Sequence, residues 1–176
     1  MKISFISSSS SIFEQELLLK IESLVNALNK IPKLEICTGG SSGIPGELIK
    51  RAHILGMKTI VYSPDPDSYS HHKRDDNLTL DQFSEVKHIT GFTARSLAMI
   101  QDSDAVVMMN GRIGTLSEAT IALEEGKYLA ILTGTLGVAD HMEYILNIAK
   151  KEFPGKVFFS NSPEEIVSWI SKLGSN

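Results

Sequence analysis

Residues suited to anion binding lie next to a carboxylate in the stretch Asp104–Gly126. The apolar run Ala105–Met109 predicts a buried strand, and Gly111 and Gly114 mark a turn after it. Glycines let the backbone approach a phosphate closely, and the first N–H groups of the following helix point towards it. Glu118, one turn into that helix, would repel a phosphate at contact distance. Its presence therefore needs a separate explanation.

Two interpretations of Glu118 stay open. Thr115 and Glu118 have the spacing of a capping box, in which Thr115 caps the helix and the glutamate reaches back to a backbone N–H. Alternatively, the carboxylate faces the same site as the glycine turn and takes part in its chemistry.

Arg95 also has two interpretations. It follows the predicted strand Val86–Thr90 and Gly91, and falls near the first turn of a predicted helix. An exposed arginine there is slightly disfavoured by the helix dipole. An arginine facing the carboxyl edge of a sheet would instead hold a phosphate or a ribose.

Two further polar turns precede predicted helices. The serine run Ser7–Ser11 is either a flexible turn ending in a helix cap or a set of hydroxyl and N–H groups for a phosphate or sugar. The glycine-rich turn Gly39–Gly46 follows the second predicted strand, and Pro45 suits the first turn of the next helix.

The elements that must position these residues alternate between strand and helix. This rhythm predicts a three-layer, Rossmann-like α/β fold with a doubly wound, mostly parallel sheet of about seven strands and both glycine turns at one edge. At 176 residues the chain, 1–176, is most simply one domain. The predicted strands are Lys2–Ser7, Leu34–Thr38, Lys58–Ser63, Val86–Thr90, Ala105–Met109, Tyr128–Leu132 and Lys156–Ser160.

Residues 64–85 interrupt the rhythm with a polar segment that is long for a connection in such folds. We expect an irregular, solvated loop lying over a pocket. Its potential metal ligands, His71, His72, Asp75 and Asp76, match no known structural spacing, so no metal site is predicted.

Composition narrows the functional classes. Apolar residues make up 42% and charged residues 22% of the chain, as in ordinary globular proteins. The net charge of −4 gives no basic field for nucleic acid. Cys37 is the only cysteine, which excludes an intrachain disulfide. With neither a signal peptide nor a membrane-length apolar run, the expected location is the cytoplasm, without a membrane partner.

Three motifs in this order resemble the lonely guy (LOG) family, and more narrowly its DprA/Smf-related branch, which includes the molybdenum-cofactor carrier proteins. They are TGGSSGIPG at residues 38–46, TARSLAMIQDSDAVVMMN at 93–110, and NGRIGTLSE at 110–118. The family hallmark is Pro-Gly-Gly-x-Gly-Thr-x-x-Glu, so Asn110 replaces the proline and Arg112 the second glycine. Arg112 either crowds a phosphate or binds one.

The resemblance implies a nucleotide-binding protein, often dimeric. Characterised enzymes of the family split nucleoside 5′-monophosphates, including cytokinin nucleotides, into free base and ribose 5-phosphate, and their catalytic arginine and glutamate match Arg95 and Glu118. This phosphoribohydrolase activity on a purine-type monophosphate, with no required cofactor, is the first hypothesis. A non-catalytic carrier of a nucleotide or of molybdenum cofactor is the alternative. A DNA-processing or signalling module is disfavoured by the acidic charge.

The site prediction contains two groups of residues. The catalytic residues are Arg95 and Glu118. The phosphate- or nucleotide-binding residues are Ser7, Ser8, Gly39, Gly40, Gly111, Arg112, Gly114 and Thr115. Because the helices carrying Arg95 and Glu118 are apolar on more than one side, we also expect a homodimer or higher homo-oligomer.

Overall fold

The protein is a three-layer α/β structure built on seven parallel strands. The computed structural model describes residues 1–9, 14–74, 80–150, 152–153 and 156–173. The strands are β1 Lys2–Ile6, β2 Glu35–Thr38, β3 Lys58–Ser63, β4 Glu85–His88, β5 Ala105–Met109, β6 Tyr128–Leu132 and β7 Val157–Ser160. Their order is β4-β3-β2-β1-β5-β6-β7, and all the described pairings are parallel. This confirms the predicted fold class.

Helices cover both faces of the sheet. They are α1 Gln15–Leu28, α2 Ile44–Ile54, α3 Ser68–Arg74, α4 Phe92–Gln101, α5 Ile113–Glu124, α6 Met142–Ala149 and α7 Pro163–Leu173. One core lies under α1, α2 and α7, and the other lies under α4, α5 and α6. β5 is buried along its whole length, because a central parallel strand is covered on both faces.

The chain order reverses beside β1, which pairs with β2 on one side and β5 on the other. In doubly wound sheets, ligands bind outside the carboxyl ends of the strands at such a switch point. The turns after β1, β2 and β5 all leave from this edge. Both glycine turns therefore lie at one edge, as the sequence predicted, and Ser7, Ser8 and Ser9 lie beside them.

Three segments differ from their sequence-based predictions. Residues 64–85 are not wholly irregular, since they contain α3 and a 3-10 turn at Leu80–Gln82. The sequence after β6 predicts one helix from about Val138 to Phe153, whereas the structure has a 3-10 turn, Gly137–His141, followed by α6. α5 begins at Ile113, inside the segment predicted as a glycine turn. Ser10, Ser11, Asp75 and Asp76 lie outside the described residues.

The end of α4 is tied to the sheet by Asp102. Its carboxylate accepts hydrogen bonds from the Nζ atoms of Lys87 at 2.6 Å and Lys2 at 3.0 Å, and from the hydroxyl of Tyr62. Burial alone would raise the pKa of Asp102, but these donors outweigh it and hold the pKa well below its usual range. The network fixes the helix that carries Arg95.

Within the described ranges, no helix combines the length and apolar character that crossing a membrane requires.

Candidate functional site

A cleft of about 600 Å³ opens at the carboxyl edge of the sheet. The turns after β1, β2, β3 and β5 form its floor and ends, and the first turns of α4 and α5 form its wall. Its lining residues are Ser7, Ser8, Ser9, Gly39, Ser41, Pro64, Arg74, Phe92, Thr93, Arg95, Ser96, Arg112, Ile113, Gly114, Thr115, Ser117, Glu118 and Ile121.

The N-terminus of α5 supplies backbone donors to this cleft. Its first helical hydrogen bond runs from the Leu116 N–H to the Arg112 carbonyl at 3.0 Å. The amides of Ile113, Gly114 and Thr115 therefore precede the hydrogen-bonded ladder and carry the positive end of the helix dipole. Both features favour an anion at this end of the cleft.

Glu118 does not form a capping box with Thr115. The residue before α5 is Arg112, which places Thr115 at the third helical position, and the Glu118 carboxylate turns to α4. Its Oε1 accepts hydrogen bonds from Arg95 Nη1 at 3.0 Å and from Ser96 Oγ at 2.7 Å. The capping interpretation is therefore wrong, and Glu118 is 9% exposed in the wall of the cleft.

Arg95 joins the two glycine-containing motifs. Its guanidinium bonds Glu118 on one side and packs against Gly39 on the other, where a Cβ atom would lie 2.6 Å from Nη1. Its Nε is buried and makes no hydrogen bond within the described chain. Burial lowers the pKa of Arg95, and the positive charge of Arg74 lowers it further. The negative charge of Glu118 acts in the opposite direction. An anion nearby would stabilise this desolvated cation.

The predicted glycines divide into two groups. Gly39 and Gly114 line the cleft. Gly40 and Gly111 have positive φ angles of 63° and 97°, and they are buried against the side chains of Val61 and Thr115. In these two positions the lack of a Cβ shapes the turn, because a side chain would be both strained and crowded.

The other predicted residues meet at the same cleft. Ser7 and Ser8 line its floor, and the Ser8 carbonyl accepts the Ile44 N–H at 3.1 Å, which connects the β1 turn to α2. Among the described residues, Ser7 Oγ is buried without a hydrogen-bond partner. Arg112 is exposed at the rim, and Thr115 is buried against Gly111.

Asn110, which replaces the hallmark proline, has a left-handed backbone with φ of 50°. Its N–H donates to Thr135 Oγ1 at 2.8 Å, and its Nδ2 donates to the Thr135 carbonyl at 2.6 Å. A proline cannot reach this φ angle and has no N–H to donate. Asn110 therefore sets a turn that is fastened to the segment after β6.

We expect Asn110→Pro to lower the free energy of unfolding by about 3 kcal/mol, from backbone strain and lost hydrogen bonds. Asn110→Gly, which keeps the N–H and tolerates the φ angle, is expected to lose about 1 kcal/mol. Urea denaturation measures both values. Equal stability of Asn110→Pro and the wild-type protein would contradict this account of the turn.

Arg74 is the principal cleft residue that the sequence predictions missed. It lies at the end of α3 and lines the cleft, together with Arg95 and Arg112. Among the described residues that line the cleft, Glu118 is the only acidic one. The cleft is thus cationic in a chain of net charge −4, which favours an anionic ligand. The run HHKR at 71–74 was the available signal.

Among the residues that the structure describes, which leave out Asp75 and Asp76, no three His, Cys, Asp or Glu side chains group around a common point. His71 is instead buried, with Nδ1 2.9 Å from Ser63 Oγ and its ring edge-on to Phe83. His72 is exposed.

The wholly parallel sheet, the switch point beside β1 and the cleft above it define a Rossmann-like α/β protein. The chain belongs to the SLOG cluster4 family, whose model matches residues 2–167. This confirms the family resemblance read from the three motifs. None of the curated proteins compared with the chain matches it.

Solved structures share this fold at low sequence identity. TM1055 is 22% identical with a TM-score of 0.81, and the match covers 97% of this chain and 98% of that one. The molybdenum cofactor carrier protein of Chlamydomonas reinhardtii is 19% identical with a TM-score of 0.77, over 99% and 98% of the two chains. DNA processing protein A of Helicobacter pylori, a single-stranded DNA-binding protein, is 18% identical with a TM-score of 0.64, over 98% and 80%. These structures therefore do not support the prediction, made from the acidic net charge, that the protein binds no nucleic acid.

Proposed function

We propose that the cleft binds a nucleoside 5′-monophosphate, and that the protein hydrolyses its N-glycosidic bond to free base and ribose 5-phosphate without a required cofactor. The observation that carries this proposal is the Arg95–Glu118 pair, 3.0 Å apart in the wall of the cleft and one turn from the N-terminus of α5. Membership of the SLOG cluster4 family supports it.

The phosphate would bind at the start of α5. Gly114 and Thr115 line this end of the cleft, and their amides precede the hydrogen-bonded ladder of α5, so no side chain is needed to hold an anion. Arg112 adds a full positive charge where the family motif has a glycine, and a guanidinium matches phosphate oxygens in a bidentate manner. In this proposal Arg112 strengthens the phosphate site.

The ribose would lie beside Glu118. Breaking the bond between C1′ and the base develops positive charge on the sugar, which a fixed carboxylate stabilises. Water adds its oxygen to C1′, and its proton balances the departing base. Arg95 and Ser96 both bind Oε1, so they orient the carboxylate and act as positioning groups. The buried setting strengthens the interaction of Glu118 with the developing charge.

A carrier without catalysis is the second candidate. Oε1 of Glu118 already accepts two hydrogen bonds, one of them from a cation, so the carboxylate is partly neutralised. The similarity in fold to the molybdenum cofactor carrier protein is compatible with this function. Such a carrier would hold a nucleotide or molybdenum cofactor in the same cleft.

Incubation of the wild-type protein with a panel of nucleoside 5′-monophosphates separates the two candidates. We expect at least one of them to yield free base and ribose 5-phosphate in equal amounts, as read by chromatography. Tight binding of a monophosphate without any release of base would contradict hydrolysis and support the carrier.

We propose in addition that the protein forms a homodimer through α4 and α5. Ile113 is 81% exposed beside the cleft, and Leu97 is exposed on α4. Burying such a patch against its own copy is the economical arrangement of a C₂ dimer.

Light scattering at micromolar concentration should give twice the 19.3 kDa mass of the chain. Leu97→Glu should shift the population towards monomer, because a desolvated carboxylate in the contact is costly. Leu19→Glu, on the exposed side of α1, should not. A monomeric wild-type protein would contradict the dimer.

A further inference from the structure

We propose that Arg74 recognises the base end of the ligand and selects a bicyclic base that presents a carbonyl oxygen beside a ring nitrogen. This assignment rests on the proposed binding of a phosphorylated ligand in the cleft. It adds a residue that determines specificity at the end of the cleft opposite the proposed phosphate site. It also defines the ligand class, a 6-oxopurine nucleotide or a phosphorylated pterin.

The position of Arg74 follows from the strand order. The α5 N-terminus follows β5, whereas Arg74 comes from the segment after β3, and β1 and β2 lie between these strands. Three strand spacings separate the two ends, a distance of about 14 Å along the sheet edge. A nucleotide with its phosphate at α5 and its sugar beside Glu118 would extend its base towards Arg74.

The same end of the cleft offers an apolar platform. Phe92 and Pro64 line it, and the Gly91 N–H donates to the Pro64 carbonyl at 3.0 Å, which holds the start of α4 against the segment after β3. Phe92 is exposed although it is a large apolar residue. A planar base stacked on this ring would cover it, as aromatic side chains commonly do with unpaired bases.

Arg74 is held in place by buried and charged partners. Its Nε donates to Asp65 Oδ2 at 2.7 Å, and its Nη2 donates to His71 Nδ1 at 3.1 Å. Burial alone would raise the pKa of Asp65, but Arg74 outweighs it and lowers that pKa, so the ion pair persists at neutral pH. The guanidinium has a second pair of parallel donors, formed by one N–H of Nη1 and the other N–H of Nη2.

A guanidinium can only donate, and this property determines the selectivity. Two parallel N–H groups match the O6 and N7 acceptors of guanine. The O4 and N5 atoms of a pterin present the same pair. Adenine has an amino group in place of O6. This group is a donor and would face the N–H donors of Arg74, so no hydrogen bond could form there. We therefore expect discrimination between 6-oxo and 6-amino bases, with no involvement of Arg74 in holding the phosphate.

Isothermal titration with GMP, AMP, 6-hydroxymethylpterin phosphate and ribose 5-phosphate tests the assignment. The wild-type protein should bind GMP about 10-fold to 100-fold more tightly than AMP, the usual effect of a bidentate contact. Arg74→Ala should abolish this preference and leave the affinity for ribose 5-phosphate unchanged. Lys73→Ala, which removes the neighbouring exposed charge on α3, is the matched control and should keep the preference. Guanine and a pterin present the same pair of acceptors, and the affinities for GMP and the pterin phosphate show which of the two bases the site prefers.

The outcomes separate this assignment from the proposed function. Equal affinity of the wild-type protein for GMP, AMP and the pterin phosphate, with ribose 5-phosphate still bound, would overturn the role of Arg74 alone. If Arg74→Ala lost affinity for GMP and for ribose 5-phosphate by the same factor, the assignment would also be overturned, since Arg74 would then hold the phosphate. Failure of all four ligands to bind the wild-type protein would overturn both proposals. Circular dichroism of Arg74→Ala checks that α3 remains folded.

Discussion

Glu118→Gln is expected to lower the rate of base release by about 100-fold or more, the scale seen when one electrostatic stabiliser is removed. The amide keeps the shape of the carboxylate and can still accept hydrogen bonds from Arg95 and Ser96. It lacks the negative charge that would face the developing cation on the ribose. Affinity for the monophosphate should survive, because backbone amides at the start of α5 would hold the phosphate.

Single-turnover assays with the wild-type protein and Glu118→Gln measure this effect without interference from product release. Glu124→Gln is the matched control, since it makes the same change in charge on the exposed side of α5. A Glu118→Gln protein that released base at the wild-type rate would show that the carboxylate is not part of the chemistry.

Gly39→Ala is expected to reduce turnover about 100-fold by displacing Arg95. The added methyl group would lie 2.6 Å from Arg95 Nη1, so the guanidinium must move away from the cleft wall and from Glu118. A misplacement of about 1 Å can cost this much in rate. The free energy of unfolding should also fall, by about 1 kcal/mol, because the clash falls on the end of a flexible side chain but weakens its ion pair with the buried Glu118.

The neighbouring substitution Gly40→Ala gives a sharp contrast. Gly40 has a φ angle of 63° and lies against Val61, so an alanine there is strained and crowded by a buried strand. We expect it to lower the free energy of unfolding by about 2 kcal/mol or more. Urea denaturation and turnover measured on both variants test the pair. A Gly39→Ala protein with full activity would contradict the contact between Gly39 and Arg95.

The sequence predicted the fold because its signals are local and repeated. Apolar runs such as Ala105–Met109 are typical of strands buried on both faces, and capping residues marked several helix ends. Ser162 followed by Pro163 is the pattern of a helix cap and a proline at the first helical position. α7 begins there, with the Glu165 N–H donating to Ser162 Oγ at 3.3 Å. The pairing of Arg95 with Glu118 was not encoded locally and came from the family resemblance.

The missed features depend on contacts between distant segments. Gly114 disfavours a helix interior, so the start of α5 was predicted too late, but the first turn of a helix tolerates such a residue. α3 has no apolar periodicity in sequence. His71 is buried against Phe83, and Arg74 is paired with Asp65 outside the helix. Local patterns cannot show such packing, and Arg74 was therefore left in an irregular loop.

The sequence also could not distinguish the roles of the adjacent glycines Gly39 and Gly40. Gly39 and Gly40 look equivalent in the motif TGGSSGIPG. Only the structure shows that the first accommodates a guanidinium and the second accommodates a left-handed turn against Val61. The same holds for Asn110, whose φ angle of 50° is one that a proline could not adopt.

A crystal structure of Glu118→Gln with a bound nucleoside 5′-monophosphate would show the ligand in the cleft, since the slowed variant retains its substrate. We expect phosphate oxygens within hydrogen-bond distance of the Gly114 and Thr115 amides, with the ribose beside residue 118 and Arg95. A phosphate bound on another surface, or a ribose pointing away from Arg95 and residue 118, would contradict this placement of the ligand.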